Sequence, residues 1–193
     1  MGDPSVMHCG DWLEGDRVRL RLITLEDCNE RYLQWLQDPA VNQFLETRWM
    51  CQTMETIRAF VAQMVADPSS YLFGIFVQGG SGHVGNIKVG PINPHHAYAD
   101  ISYFIGETSV RGKGYAADAI FIVTRWAFER RKLHRLQAGV YASNVASARS
   151  LERVGYRREA VLRSGALGAQ GWEDVYGYGL LADEWQAMQA VLR

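Results

Sequence analysis

Arg111-Gly112-Lys113-Gly114-Tyr115-Ala116 is the stretch on which the fold turns. It sits between a strand-like segment ending near Ile105 and a helical pattern running from Gly114 to about Arg131. Two glycines let the backbone turn tightly and bring its main chain close to a ligand, and the free amides and dipole of a helix start favour negative charge. Arg111 and Lys113 add local cations, so the turn suits a pyrophosphate. A glycine turn with no ligand is a second reading. A third is the dinucleotide fingerprint, which Gly112-x-Gly114-x-x-Ala117 also satisfies. That turn belongs to a parallel βαβ unit whose following strand closes on an acid, whereas here the preceding strands read as an antiparallel meander and residues 136–141 end without one. The phosphate-loop pattern G-x-x-x-x-G-K-[ST] is absent.

Any anion site must be local, because the chain as a whole has no field to offer. Its 193 residues carry 20 Lys and Arg against 21 Asp and Glu, a net charge of −1, which argues against nucleic acid as a partner. That length predicts one domain over residues 1–193, and 48% apolar with 21% charged residues is ordinary for a globular chain. The most apolar stretch, residues 119–123, is far below the roughly 20 residues a bilayer span needs, so no membrane partner is expected. Residues 1–15 lack a secretory pattern, and Val6 follows Met1-Gly2 where myristoylation wants Ser or Thr; a cytoplasmic location is expected. Cys9, Cys28 and Cys51 form no C-x-x-C pair, which fits a reducing compartment and gives no activated nucleophile. His83, His95, His96 and His134 lack metal-ligand spacing, so no metal is expected.

Periodicity supplies the remaining elements. Residues 17–22 alternate polar and apolar as a strand does. Thr24, answered by Asp27 in the sense of a capping box, predicts a helix start with Cys28, Tyr32, Trp35 and Leu36 on one face. Residues 53–65 repeat the pattern through Met54, Ile57, Phe60, Val61 and Met64. Strands are predicted at 71–78, 84–92 and 97–105, separated by Gly79-Gly80-Ser81-Gly82 and Asn93-Pro94-His95-His96. A strand at 136–141, a helix at 146–153, strands at 156–162 and 172–181 and a helix from Asp183 complete the order β α α β β β α β α β β α. That is an α/β (α+β) chain with a mixed sheet flanked by helices.

Downstream of the glycine turn, Asn144-Val145-Ala146-Ser147-Ala148-Arg149-Ser150-Leu151 leads to Gly155-Tyr156, and Trp172-Glu173-Asp174-Val175-Tyr176 precedes Glu184-Trp185. With R-x-x-G-x-A at residues 111–116, this ordered set resembles the GNAT N-acetyltransferases from about Leu13 to the C-terminus. Within them it is most similar to the branch containing the ribosomal-protein N-terminal acetyltransferases. The resemblance implies a mostly antiparallel six- to seven-stranded sheet in which residues 97–105 and 136–141 form a splayed parallel pair holding acetyl-coenzyme A. It implies that the pantetheine arm pairs with backbone at Phe104, Ile105 and Gly106, and that the pyrophosphate takes amides from Arg111, Gly112, Lys113, Gly114, Tyr115 and Ala116. Asn144 would bond the pantetheine amide or cap the following helix.

The reaction so implied is direct attack of a primary amine on the thioester, with no acyl-enzyme. Such an amine is mostly protonated at neutral pH and must first lose a proton. Ser147 takes the position from which relatives protonate the leaving sulfur, or is simply a helix N-terminal serine; Tyr141 and Tyr156 are alternative hydroxyl donors. No base stands out: Glu107, Asp100, Glu173 and a water chain are candidates, and residues 164–167 carry no carboxylate. The acceptor side should be walled by the first 70 residues and by residues 164–171. Residues 42–51 are unusually aromatic, and Glu46 and Arg48 there are placed to read a polar acceptor. The stretches 46–53 and 85–93 also resemble acetyltransferases acting on amino sugars, which favours a small-molecule amine over a ribosomal protein. A non-catalytic coenzyme A sensor and an interaction module are the rival classes, and a homodimer stays open.

Overall fold

The computed structural model describes residues 7–8, 10–80 and 82–191. Met1, Gly2, Val6, Cys9 and Ser81 lie outside them. Eight strands of the described residues form one sheet: β1 (Leu13–Glu14), β2 (Val18–Leu22), β3 (Tyr71–Val77), β4 (His83–Val89), β5 (Tyr98–Ile105), β6 (Arg135–Tyr141), β7 (Arg157–Gly168) and β8 (Gly171–Leu181), in the order β1-β2-β3-β4-β5-β6-β8-β7. Every neighbouring pair is antiparallel except β5–β6. The strand beyond the expected seven is β1, whose two residues pair with Leu20 and Arg19 and are too short to show a period.

Among the described residues six α-helices flank the sheet: α1 (Glu30–Gln37), α2 (Pro39–Asn42), α3 (Met54–Ala66), α4 (Tyr115–Glu129), α5 (Val145–Val154) and α6 (Ala182–Val191). Strand alternation sorts their cores. Phe73, Ile75, Val84 and Ile87 face α4, whose Ile120, Ile122, Val123 and Trp126 are buried with them. Leu72 faces the other way, onto Tyr32, Trp35 and Leu36 of α1 and Ile57 and Val61 of α3. Phe60, read as part of the α3 stripe, is instead 37% exposed.

Two expectations need correction. Thr24 and Asp27 do meet, since the Asp27 carboxylate accepts the Thr24 N–H at 2.8 Å and the Arg21 guanidinium at 2.7 and 2.6 Å. They close only a 3-10 turn, Leu25–Asp27, because Cys28 is extended and Asn29 then caps α1 by accepting the Tyr32 N–H at 3.1 Å. A second, better-placed cap therefore sets the helix start. The predicted loop at 164–171 is mostly strand, for β7 runs to Gly168 and β8 starts at Gly171. Register shifts at Arg158/Ala160 and Leu162/Ala166, and the exposure of nearly all of β7, remove the alternation by which a half-buried strand is recognised.

One carboxylate fixes the start of α4 to the sheet. Asp118, in the first turn, accepts main-chain N–H groups from Asp16 at 3.4 Å, Arg17 at 2.8 Å and Val18 at 2.9 Å. Arg17 in turn donates to the Lys113 carbonyl at 3.0 Å, tying the glycine turn to the β1–β2 connection. Asp118→Ala leaves those amides without their acceptor and is expected to cost about 1–3 kcal/mol, a Tm loss of roughly 3–10 °C by calorimetry. An unchanged Tm would show that the connection holds itself.

Candidate active site

The parallel pair β5–β6 is hydrogen-bonded only at Tyr98↔Arg135, Ala99↔Leu136 and Asp100↔Gln137. Beyond that point each strand follows its outer neighbour: β5 stays on β4 as far as Gly85↔Ile105, and β6 stays on β8 as far as Tyr141↔Val175. Residues 101–105 and 138–141 therefore diverge, and a cleft of about 630 Å³ opens between them. An inner strand edge exposed in this way offers main-chain donors and acceptors to an extended, amide-bearing ligand.

The glycine turn closes one end of this cleft. Gly112 and Gly114 have φ of +76° and +82°, and Gly114 is the N-cap of α4. A Cβ at Gly112 would meet nothing within 4 Å, and one at Gly114 only Arg17, at 3.9 Å. These glycines are needed for their backbone conformation, and they leave open space above the first amides of α4, which have no acceptor within the helix. Arg111 donates to the Ile105 carbonyl at 3.3 Å, bridging the turn to the end of β5.

The cleft brings together Phe104, Ile105, Arg111, Gly112, Gly114, Tyr115, Ala116, Tyr141, Asn144 and Ser147 from the sequence-derived set. Gly106, Glu107 and Lys113 are not in its lining. Gly106 gives its N–H to the Val84 carbonyl at 2.9 Å, and a Cβ there would run into the Trp35 ring, so the absent side chain makes room for α1. Glu107 lines a separate pocket with Glu30, Arg31 and Asp38. It is paired with Arg31 at 2.7 Å, and the hydrogen bond from that guanidinium holds the carboxyl below its usual range, the reverse of what a base needs. The other two carboxylate candidates are engaged: Asp100 accepts from Gln137 at 3.1 Å and Glu173 accepts the Ser143 N–H at 2.8 Å.

Three hydroxyls were candidates for proton donation. Tyr156 is buried against Thr124 at 2.9 Å and lies outside the cleft lining, its phenol pushed far up by burial. Ser147 lies at the start of α5, where Asn144 Oδ1 accepts its N–H at 3.2 Å, so Asn144 does cap this helix. Ser147 Oγ also stands 2.8 Å from the Tyr103 hydroxyl, a contact the sequence did not suggest. Tyr141 ends β6, where its hydroxyl donates to Glu46 and accepts from Arg48 at 3.1 Å. Burial, followed by the Glu46 hydrogen bond, raises its pKa. Arg48 also donates to the Leu167 carbonyl at 2.7 Å, so the 3-10 turn Glu46–Trp49 is clasped to the β7–β8 hairpin across the end of the cleft.

The histidines stand apart from this site. His83 lies 2.7 Å from Asn86 Oδ1 and stacks on Phe76, and Asn93 accepts the main-chain N–H groups of His95 and His96. Among the described residues, no group of three or more His, Cys, Asp or Glu is placed to hold a metal ion, and no helix is long and apolar enough to cross a membrane. Cys28 is buried and Cys51 exposed, both as free thiols.

Comparison with known proteins gives a consistent picture. The family model described as Acetyltransferase (GNAT) domain matches residues 17–157. A Bacillus subtilis (strain 168) protein named "Probable N-acetyltransferase YjcK" is 34% identical over 105 residues, spanning 54% of this chain and 58% of that protein. The crystal structure of a GNAT-family acetyltransferase from Bacillus anthracis superposes with a TM-score of 0.77 at 25% identity, covering 90% of this chain and all of the other. Mycobacterium smegmatis RimJ, in complex with CoA-disulfide, shares the fold with a TM-score of 0.77 at 22% identity, covering 86% and 83% of the two chains.

The contrast between Gly106 and the turn glycines can be tested. Gly106→Ala pushes a methyl group into the Trp35 ring and is expected to cost about 1–3 kcal/mol, measurable as a lower urea midpoint. An unchanged midpoint would mean that Trp35 yields without cost.

Proposed function

This chain belongs to the GNAT acetyltransferase family, and from that premise we propose that it transfers the acetyl group of acetyl-coenzyme A directly to the primary amine of a small molecule, an amino sugar being the favoured class. The pantetheine arm lies as an added strand along the edge of residues 101–105. The diphosphate sits on the turn at residues 111–116, where amides at the start of α4 and the cation of Arg111 meet it. With the thioester held beside the amine, positioning alone contributes roughly 7–11 kcal/mol to lowering the barrier. A main-chain N–H near Ile105 polarises the carbonyl as charge develops on its oxygen. Ser147 supplies a proton to the departing sulfur. Amine deprotonation falls to a water chain, since Glu107, Asp100 and Glu173 are all engaged elsewhere.

The observation that carries the small-molecule reading is the clasp of Arg48 on Tyr141 and Leu167. It ties the Glu46–Trp49 turn and the β7–β8 hairpin to Tyr141, which lines the cleft beside Phe44, and so supports a compact acceptor over a polypeptide. The Phe44 and Tyr141 rings there suit the face of a sugar.

Thiol release from acetyl-coenzyme A in the presence of glucosamine, nucleotide-linked amino sugars, spermidine and short peptides tests this reading. Turnover is expected on an amino sugar. Turnover confined to peptides would move the acceptor to a protein N-terminus, and coenzyme A binding with no turnover on any amine would favour a sensor. Gly114→Val forces a β-branched residue to a φ of +82° and is expected to weaken coenzyme A binding at least about tenfold by calorimetric titration. Unchanged affinity would remove the diphosphate from this turn. Arg48→Ala, which opens the clasp, should raise KM for the accepted amine about tenfold or more while leaving coenzyme A affinity intact; equal loss of both would make Arg48 a general structural residue.

A further inference from the structure

Tyr103 lies on the stretch of β5 that has parted from β6, and it lines the cleft. Its hydroxyl is 2.8 Å from Ser147 Oγ and 3.2 Å from the Ser147 carbonyl oxygen. Ser147 is thus held from two sides: Asn144 takes its N–H, and a tyrosine from the facing strand touches its hydroxyl. The phenol has one proton to give. Donated to the main-chain oxygen, it leaves the tyrosine oxygen to draw the serine proton onto itself, away from the cleft. Donated to Oγ, the shorter contact, it leaves the serine proton free.

We propose that Tyr103 is a positioning residue that donates its hydroxyl proton to Ser147 Oγ and so aims the Ser147 proton at the sulfur of coenzyme A. The inference rests on the reading of Ser147 as donor to the leaving group. As the C–N bond forms and the C–S bond breaks, the electron pair goes to sulfur, which takes the Ser147 proton. Ser147 is restored by the proton that the attacking nitrogen sheds, and Tyr103 keeps its own throughout. Burial pushes the Tyr103 phenol up to about 12, so it stays a neutral donor over any working pH.

Coenzyme A itself, titrated on the enzyme by the ultraviolet absorbance of its thiolate, is a probe that needs no acceptor. A hydroxyl aimed at sulfur stabilises the thiolate, so the bound thiol should titrate roughly one pH unit below its value free in solution. Ser147→Ala should abolish that depression. Tyr103→Phe should reduce it by roughly half a unit or more, with no further change in the double variant, because Tyr103 acts only through Ser147. Tyr156→Phe serves as the control: it deletes a buried hydroxyl bonded to Thr124 and should leave the thiol value alone. Arg111, Arg149, Arg153, Tyr115 and Tyr141, the other charged and titratable groups lining the cleft, are the same in every variant. A parent-like value in Tyr103→Phe beside a shifted Ser147→Ala would overturn the inference and spare the serine. A parent-like Ser147→Ala would overturn the reading beneath it. A Tyr103→Phe effect that survives in the Ser147→Ala background, or a Tyr103→Phe protein that no longer holds coenzyme A, would likewise remove the positioning role.

Discussion

Past Asp100 and Gln137 the two central strands give up their shared hydrogen bonds, and the rest of the site depends on that separation. A strand edge inside a sheet is normally satisfied by its neighbour, and a buried main-chain donor or acceptor left unpaired costs about 1–3 kcal/mol. The sheet tolerates the gap because both strands are anchored outside it, β5 by β4 and β6 by β8, through the whole divergent stretch. What fills the gap must then be extended, rich in amides and narrow. The pantetheine arm proposed for this cleft meets that requirement.

The same divergence places the side chains at the reaction end. Because β6 follows β8, it delivers Tyr141 to the Glu46–Trp49 turn and Asn144 and Ser147 to the start of α5. Because β5 follows β4, it keeps Tyr103 on the opposite wall yet within 2.8 Å of Ser147. The paired hydroxyls thus stitch together two strands whose main chains have parted. Asp118 does comparable work at the other end, fixing the glycine turn to β2 by accepting main-chain N–H groups more than ninety residues away in sequence.

Much of this was legible in the sequence, and the division has a physical basis. The glycine turn could be read because its constraint is local: a positive φ at Gly112 and Gly114 nearly dictates the residue. The helices α3 and α5 could be read because each buries one face at a fixed period, and α4 because a long apolar run follows the glycine turn. Where burial supplied no period, reading failed. The two-residue β1 was missed, and the exposed far half of the β7–β8 hairpin was taken for a loop. The Thr24 cap was a true local signal that was outcompeted two residues after its 3-10 turn by Asn29.

The candidate site divides along the same line. The proposed cofactor contacts are made by main chain and leave glycines and small residues in the sequence, and most of those positions line one cleft. Gly106 was the exception, since a glycine required by packing against Trp35 looks the same in a sequence as one required by a ligand. The proposed reaction and acceptor ends rest on side-chain pairs distant in the chain, Arg48 with Tyr141 and Leu167 and Tyr103 with Ser147, as does the pairing of Arg31 with Glu107 outside the cleft. No spacing rule links such partners, because the fold alone makes them neighbours. Glu107 shows the consequence. As an isolated acid near the end of β5 it is a reasonable base, but once Arg31 is placed 2.7 Å away it becomes a carboxylate that resists protonation. Identity at a catalytic position therefore says less about its chemistry than the charge standing beside it, and that neighbour is supplied here by α1, seventy-six residues earlier in the chain.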